Sequence, residues 1–152
     1  MFKDTLATDK DTATILIRVM VGVVFLSEGV QKFIFPDTLG VGRFLHTGFR
    51  FPEFLANFTG AIEISCALFI LIGLGTRLAA IPLMIIMIFA FETTKYTIFL
   101  QTGFWNFMHE DRTDFSMQLG LLYLMLKGSG AWSIDHIISR SFGKFKIPQQ
   151  SI

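Results

Sequence analysis

Apolar residues fill this chain in long runs, separated by short stretches of glycine, proline and charge. The first run extends from about Thr12 to Ile34, the second from Phe54 to Leu74 and the third from Arg77 to Leu100. A helix rises about 1.5 Å per residue, so a hydrocarbon core about 30 Å thick needs about 20 residues. These three runs qualify as spans. A fourth, from about Thr113 to Leu126, is short. It either begins below the membrane surface, leaving a crevice, or extends back through Phe107. Pro82 predicts a kink in the third span or a later start for it. Gly73, Gly75 and Thr76 predict a tight turn between spans two and three, and Gly128 and Gly130 end span four.

Beyond that stop, Ser133 has the chemistry of a helix N-cap, with Asp135 in the first turn. Ile134, Ile137, Ile138 and Phe142 follow at helical spacing, and Arg140, Lys144 and Lys146 come after. This pattern predicts an amphipathic helix over about 133–142, lying on the membrane surface with Trp132 at headgroup level. The fold class is therefore all-α: an integral membrane four-helix bundle with a C-terminal interfacial helix, one transmembrane domain over residues 1–152.

Composition agrees. Only 16% of residues are charged, against roughly 25% in ordinary soluble domains. With four spans, 152 residues leave no room for a sizeable soluble domain. A net charge of +1 without a dense basic stripe excludes a bulk case for nucleic acid. The single cysteine, Cys66, excludes an internal disulfide and disulfide-exchange chemistry, and reads as a small buried apolar residue. The N-terminus is polar and mixed in charge, and the first run ends without a small-residue cleavage site, so it reads as a retained helix rather than a signal peptide.

Four spans put both termini on one side. That side carries Lys3, Lys10, Arg77, Lys127, Arg140, Lys144 and Lys146. The other carries Arg43, Arg50 and Arg112, with Lys32 and Lys95 near the helix ends. The imbalance predicts cytoplasmic N- and C-termini in a bacterial inner (plasma) membrane.

Charges within spans are costly and mark function by default. Counted by helical rise, Glu28 lies roughly 9 Å below the outer surface, Glu63 roughly 15 Å, Glu92 roughly 12 Å and Lys95 roughly 8 Å. Lys32, Asp114 and Gln118 fall in the same outer half, whereas Arg18 belongs to the inner half. On span one, Arg18, Gly22, Phe25, Gly29 and Lys32 share an arc, with Glu28 beside it and within pairing distance of Lys32. On span two, Asn57, Gly60, Glu63, Ala67 and Leu71 form a stripe whose small residues suit close helix packing. Glu63 has no partner on its own helix. It must pair with a cation, meet water or stay protonated, and by depth the nearest cations are Lys95 and Lys32.

Glu28, Lys32, Glu63, Glu92, Lys95, Asp114 and Gln118 thus delineate a candidate polar cavity, open outward, that binds a small molecule or relays protons. The competing reading is an ion-pair network that fixes helix register. His46 and His109 lie on the same side. Their spacing matches no ligand motif, and they read as solvated loop histidines rather than as a metal site. No histidine lies within a span, so no haem ligation is indicated.

Several segments together resemble the DoxX family of small bacterial membrane proteins. They are Arg18-Val19-Met20-Val21-Gly22 with Phe25, Gly29 and Lys32; Gly48-Phe49 with Pro52; Gly60 and Glu63; the turn from Gly73 to Ala80; and Gly128-Ser129-Gly130-Ala131-Trp132-Ser133-Ile134-Asp135. The resemblance covers roughly residues 12 to 138. It implies a four-helix membrane bundle and, by the family's association with a thiosulfate:quinone oxidoreductase, a subunit of a redox system. It transfers no catalytic residues. Where many relatives place Glu before span four, this chain has Asp114.

Three functions follow as expectations. The first is a membrane subunit of a redox system, possible quinone contact included, with protein subunits or further copies of itself as partners. The second is a non-enzymatic binder or transporter of a small molecule or lipid. The third is an assembly or scaffold subunit. There is no phosphate loop, metal motif or nucleophile set.

Overall fold

The computed structural model describes residues 11–46, 48–95 and 103–143, with the backbone alone at 94, 95 and 140–143. The described residues are all helical or in turns. They form α1 (Thr14–Ile34), a short α2 (Val41–His46), α3 (Pro52–Ile72), α4 (Thr76–Ala90) running into a π-helical turn (Phe91–Lys95), α5 (Phe104–Lys127) and α6 (Ile134–Gly143).

Helices α1, α3 and α4, the last with its π-helical turn, are long and apolar enough to cross a membrane. Helix α4 starts at Thr76 and continues through Pro82, so the proline does not delay its start. The fourth helix is longer than the run of residues 113–126 indicates, because it reaches back to Phe104. Its added turns hold His109, Glu110, Asp111 and Arg112, too polar to register as a span in a hydropathy pattern.

The four long helices close into a ring: α1 packs along α3, α3 against α4, α4 against α5, and α5 returns to α1. The centre is filled by Val21 and Phe25, Ala67 and Ile70, Ala80 and Leu83, and Met117, Leu121 and Leu124. The apolar side chains Leu16, Val23, Leu68, Phe69, Ile88, Leu119 and Leu122 point outward. That inversion suits lipid, where helices gain nothing by hiding apolar surface and associate instead through close packing and polar contacts.

Close packing is visible between α1 and α3. A Cβ on Gly29 would stand 2.8 Å from Ile64 Cγ1 and 3.0 Å from the Gly60 carbonyl oxygen. Only glycine lets the two backbones meet there. Trp105 and Trp132 project from opposite ends of the bundle, 83% and 72% exposed, where interfacial aromatics anchor a span.

At the end where α1 begins, one side chain holds the turns together. Helix α3 stops at Gly73, which takes a left-handed conformation, φ +72°. The Gly73 N–H then donates to the Ile70 carbonyl and the Leu74 N–H to the Phe69 carbonyl, the usual glycine ending of a helix. Arg18, 2% exposed, reaches this end from α1. Its Nε donates to the Ile70 carbonyl at 2.8 Å, Nη2 to Leu71 at 2.5 Å, and Nη1 to Ser129 at 3.0 Å and Trp132 at 2.5 Å. Asp135 completes the join. Its carboxylate accepts from the Gly75 N–H at 2.8 Å and the Thr76 N–H at 3.5 Å, the first amides of α4. Ser133 caps α6, its Oγ accepting from the His136 N–H at 3.1 Å.

Candidate functional site

At the opposite end, the loop end, the helices do not close fully. They leave a cavity of about 600 Å³, within the usual size range for small-molecule sites. Every element but α6 contributes to it, the π-helical turn through Thr93. Helix α1 supplies Val24, Phe25, Glu28 and Lys32. Arg43 and Phe44 of α2 and Phe49 just beyond it come from the connection. Helix α3 supplies Leu55, Phe58, Thr59, Ile62 and Glu63, α4 supplies Pro82, Ile85, Ile86, Met87, Phe89 and Ala90, and α5 supplies Thr113, Asp114 and Met117. The lining is apolar for the most part, with the charged groups gathered on α1, α2, α3 and α5.

The geometry resolves which cation meets Glu63. Lys32 Nζ donates to Glu63 Oε2 at 2.5 Å, with 9% and 4% of the two side chains accessible. Lys32 therefore spans the α1–α3 interface instead of pairing with Glu28 one turn back. Lys32 also sits in the last turn of α1, where a cation is favoured by the helix dipole. Glu63 belongs to the buried face of α3, together with Ala56, Gly60, Ala67 and Ile70. That face is turned slightly from the sequence stripe, because Asn57 is exposed.

The seven candidate residues do not all converge. Glu28, Lys32, Glu63 and Asp114 line the cavity. Glu92 is exposed and Gln118 half-buried, and neither lines it. Glu92 falls in the π-helical turn, whose five-residue hydrogen bonding shifts the face that a straight α-helix would present. The Lys95 side chain lies outside the described residues, as do Lys3, Lys10, Lys144 and Lys146.

Sequence reasoning missed Arg43, Thr59, Thr93 and Thr113 as wall residues. Arg43 enters because α2 folds back onto α3. Thr59 and Thr93 turn their hydroxyls to helix carbonyls, Leu55 at 2.5 Å and Phe89 at 2.8 Å, a habit that hides them among apolar neighbours. His46 and His109 are exposed. Among the described residues no three His, Cys, Asp or Glu side chains gather as a metal site.

Comparison with known proteins agrees with this architecture. The DoxX family model matches residues 13–101. The chain is 47% identical over 134 residues to an uncharacterized membrane protein of Mycobacterium tuberculosis, covering 84% of this chain and 82% of that one. It is 27% identical over 128 residues to CatD of Bacillus subtilis, named as a candidate oxidoreductase, covering 84% of this chain and 88% of that one. No solved structure matches it significantly. The family match covers more than half of the sequence, from the start of α1 past the end of the π-helical turn, and on that ground the chain belongs to the DoxX family of membrane proteins.

Proposed function

We propose that this protein is a small membrane subunit of a redox system and that its cavity receives an amphiphilic, quinone-type molecule. The observation that carries this reading is the Lys32–Glu63 pair set into the wall of a large, mainly apolar cavity. An apolar slot with few convergent polar groups is the usual form of a small-molecule site. A quinone head needs hydrogen-bond donors and proton-carrying groups beside an apolar surface. Lys32, Glu63, Glu28 and Asp114 offer both in one wall system. The kinship with CatD points the same way.

A quinone bound there would supply reversible transfer of two electrons with two protons. The chain's own groups supply the rest. Phe25, Phe58 and Ile62 exclude water from the deep wall. The Lys32 ammonium donates hydrogen bonds and fixes the Glu63 carboxylate. Glu28 and Asp114 add two further carboxylates to the same wall. With the termini in the cytoplasm, the cavity lies toward the outer side of a bacterial plasma membrane. The electrons come from or go to a redox-active partner subunit, and further copies of this chain are partners in assembly only.

The decisive experiment is solvent extraction of the purified protein, with the extract read by ultraviolet absorption and mass spectrometry. A near-stoichiometric quinone is expected. Copurification of phospholipid alone, with no quinone retained or taken up on titration, would replace this reading with a non-redox lipid binder.

A further inference from the structure

We propose that the cavity takes its ligand sideways from the bilayer, through the seam between α3 and α4, and that the ligand is a tailed amphiphile whose chain stays in that seam. The inference rests on the cavity reading above and adds the ligand's shape and route to it. A second depression lies on the flank of the bundle, lined by Phe58, Ala61, Ile62, Ser65, Cys66 and Pro82, with a volume of about 260 Å³. Phe58, Ile62 and Pro82 also line the cavity. The partition between the two spaces is therefore a single layer of side chains.

The seam is low for a local reason. Ala61 and Ser65 are exposed and small, one turn apart on α3, so they leave a gap between the bulkier Phe58 and Ile62. Across from them α4 presents the compact ring of Pro82. From Phe58 to Cys66 the groove follows α3 for about 12 Å, away from the loop end and toward the middle of the bilayer. A chain lying there would run alongside the lipid tails, touching Ser65, the one hydroxyl among the described residues of the groove. At the loop end an apolar ligand would have to pass a charged side chain. There Phe44 and Phe49, ring centroids 5.8 Å apart, line the cavity beside Arg43. A molecule dissolved in the membrane meets the apolar seam first. Its head then passes the thin partition to reach Lys32 and Glu63, while its tail remains outside in the groove.

The test uses the full chain in lipid nanodiscs and two probes: a benzoquinone with a decyl tail ending in a diazirine, and the same ring without a tail. Irradiation of the wild-type protein with the tailed probe should place crosslinks between Phe58 and Cys66 or beside Pro82, read by peptide mass spectrometry. Ala61→Trp fills the groove from a lipid-facing position that is not part of the cavity wall. It should weaken binding of the tailed probe about tenfold and change that of the tailless ring less than about twofold. Crosslinks confined to α1 or α5, or undiminished binding of the tailed probe to Ala61→Trp, overturn the lateral route and leave the cavity reading standing. Failure of wild-type protein to bind either quinone overturns both. The crosslinking arm stands on wild-type protein alone, so it decides the question even if the variant folds poorly.

Discussion

Lys32 and Glu63 meet at 2.5 Å across the α1–α3 interface, where glycines at 29 and 60 leave no side chain to hold the two helices apart. A Cβ on Gly29 would stand 3.1 Å from Glu63 Cβ, and one on Gly60 would stand 3.3 Å from the Gly29 carbonyl oxygen. The pair is both a structural join and part of the cavity wall. Those two roles predict different consequences of mutation.

As a join, the pair is sensitive to removal of one member. Glu63→Gln keeps volume but leaves the Lys32 ammonium without its counter-ion. Such a loss costs about 3–5 kcal/mol in a buried pair. The lower end is expected here, because Lys32 lies near the end of α1 and can bend toward the loop end. Adding Lys32→Met to Glu63→Gln should restore most of the lost melting temperature in detergent. An unchanged melting temperature in the single variant would deny the pair any structural role.

As a wall, the site should be reachable by water-soluble reagents. Thr59→Cys and Thr113→Cys, each in a Cys66→Ala background, should react with a small charged methanethiosulfonate added from the loop side. Ala67→Cys, which is fully buried in the core, should not. If all three stay unlabelled, the cavity is dry and closed to hydrophilic molecules.

Arg18 is the second sensitive point. Its guanidinium satisfies four carbonyls from α3 and the segment before α6. A hydrogen bond to a charged group contributes about 1.5–3 kcal/mol, so Arg18→Met should destabilise the bundle by at least about 3 kcal/mol. Arg18→Lys should rescue little, because an ammonium cannot reproduce the planar fork. Unfolding in increasing sodium dodecyl sulfate, followed by circular dichroism, measures both. Near-wild-type behaviour of the lysine variant would show that charge alone matters there.

Asp135 ties α6 to the first amides of α4. Asp135→Ala should cost about 0.5–2 kcal/mol, the range for a lost N-cap. It should also raise hydrogen exchange at the Gly75 and Thr76 amides more than at the centre of α3. A uniform rise across all helices would instead indicate global loosening.

Topology is testable directly. Reporter fusions at residue 75 and at the C-terminus should both score as cytoplasmic, and a fusion near residue 45 should score as external. Agreement between residues 45 and 75 would mean that α3 does not cross the membrane.

Much of the helical plan was legible in the amino-acid sequence, because a bilayer imposes a simple rule. Each backbone group must be satisfied within its own segment, so length and apolarity mark helices α1, α3 and α4. The terminal punctuation was equally local: Gly73 in a left-handed turn, Gly128 ending α5 and Ser133 capping α6. Glu63 could be placed on a protein-facing side from its small neighbours Gly60 and Ala67. Helix α5 was harder. Its polar first half breaks the hydropathy signal and is mostly exposed, with Asp111 the one buried side chain from Phe104 to Arg112.

Pairing needed three dimensions. The sequence alone gives depth and helix face, and at Glu63's depth both Lys32 and Lys95 qualified as partners. The glycine-mediated approach of α1 and α3 brings Lys32 to Glu63, because the distance between helices depends on what lies at their contact rather than on either helix. The same reason governs Glu92, which has the right depth but is carried off the cavity wall by the π-helical turn. It governs Arg18 as well. As an isolated charge in the inner half of a span it offered no partner in sequence. Its four acceptors are backbone carbonyls, which every residue carries and no side-chain pattern can reveal.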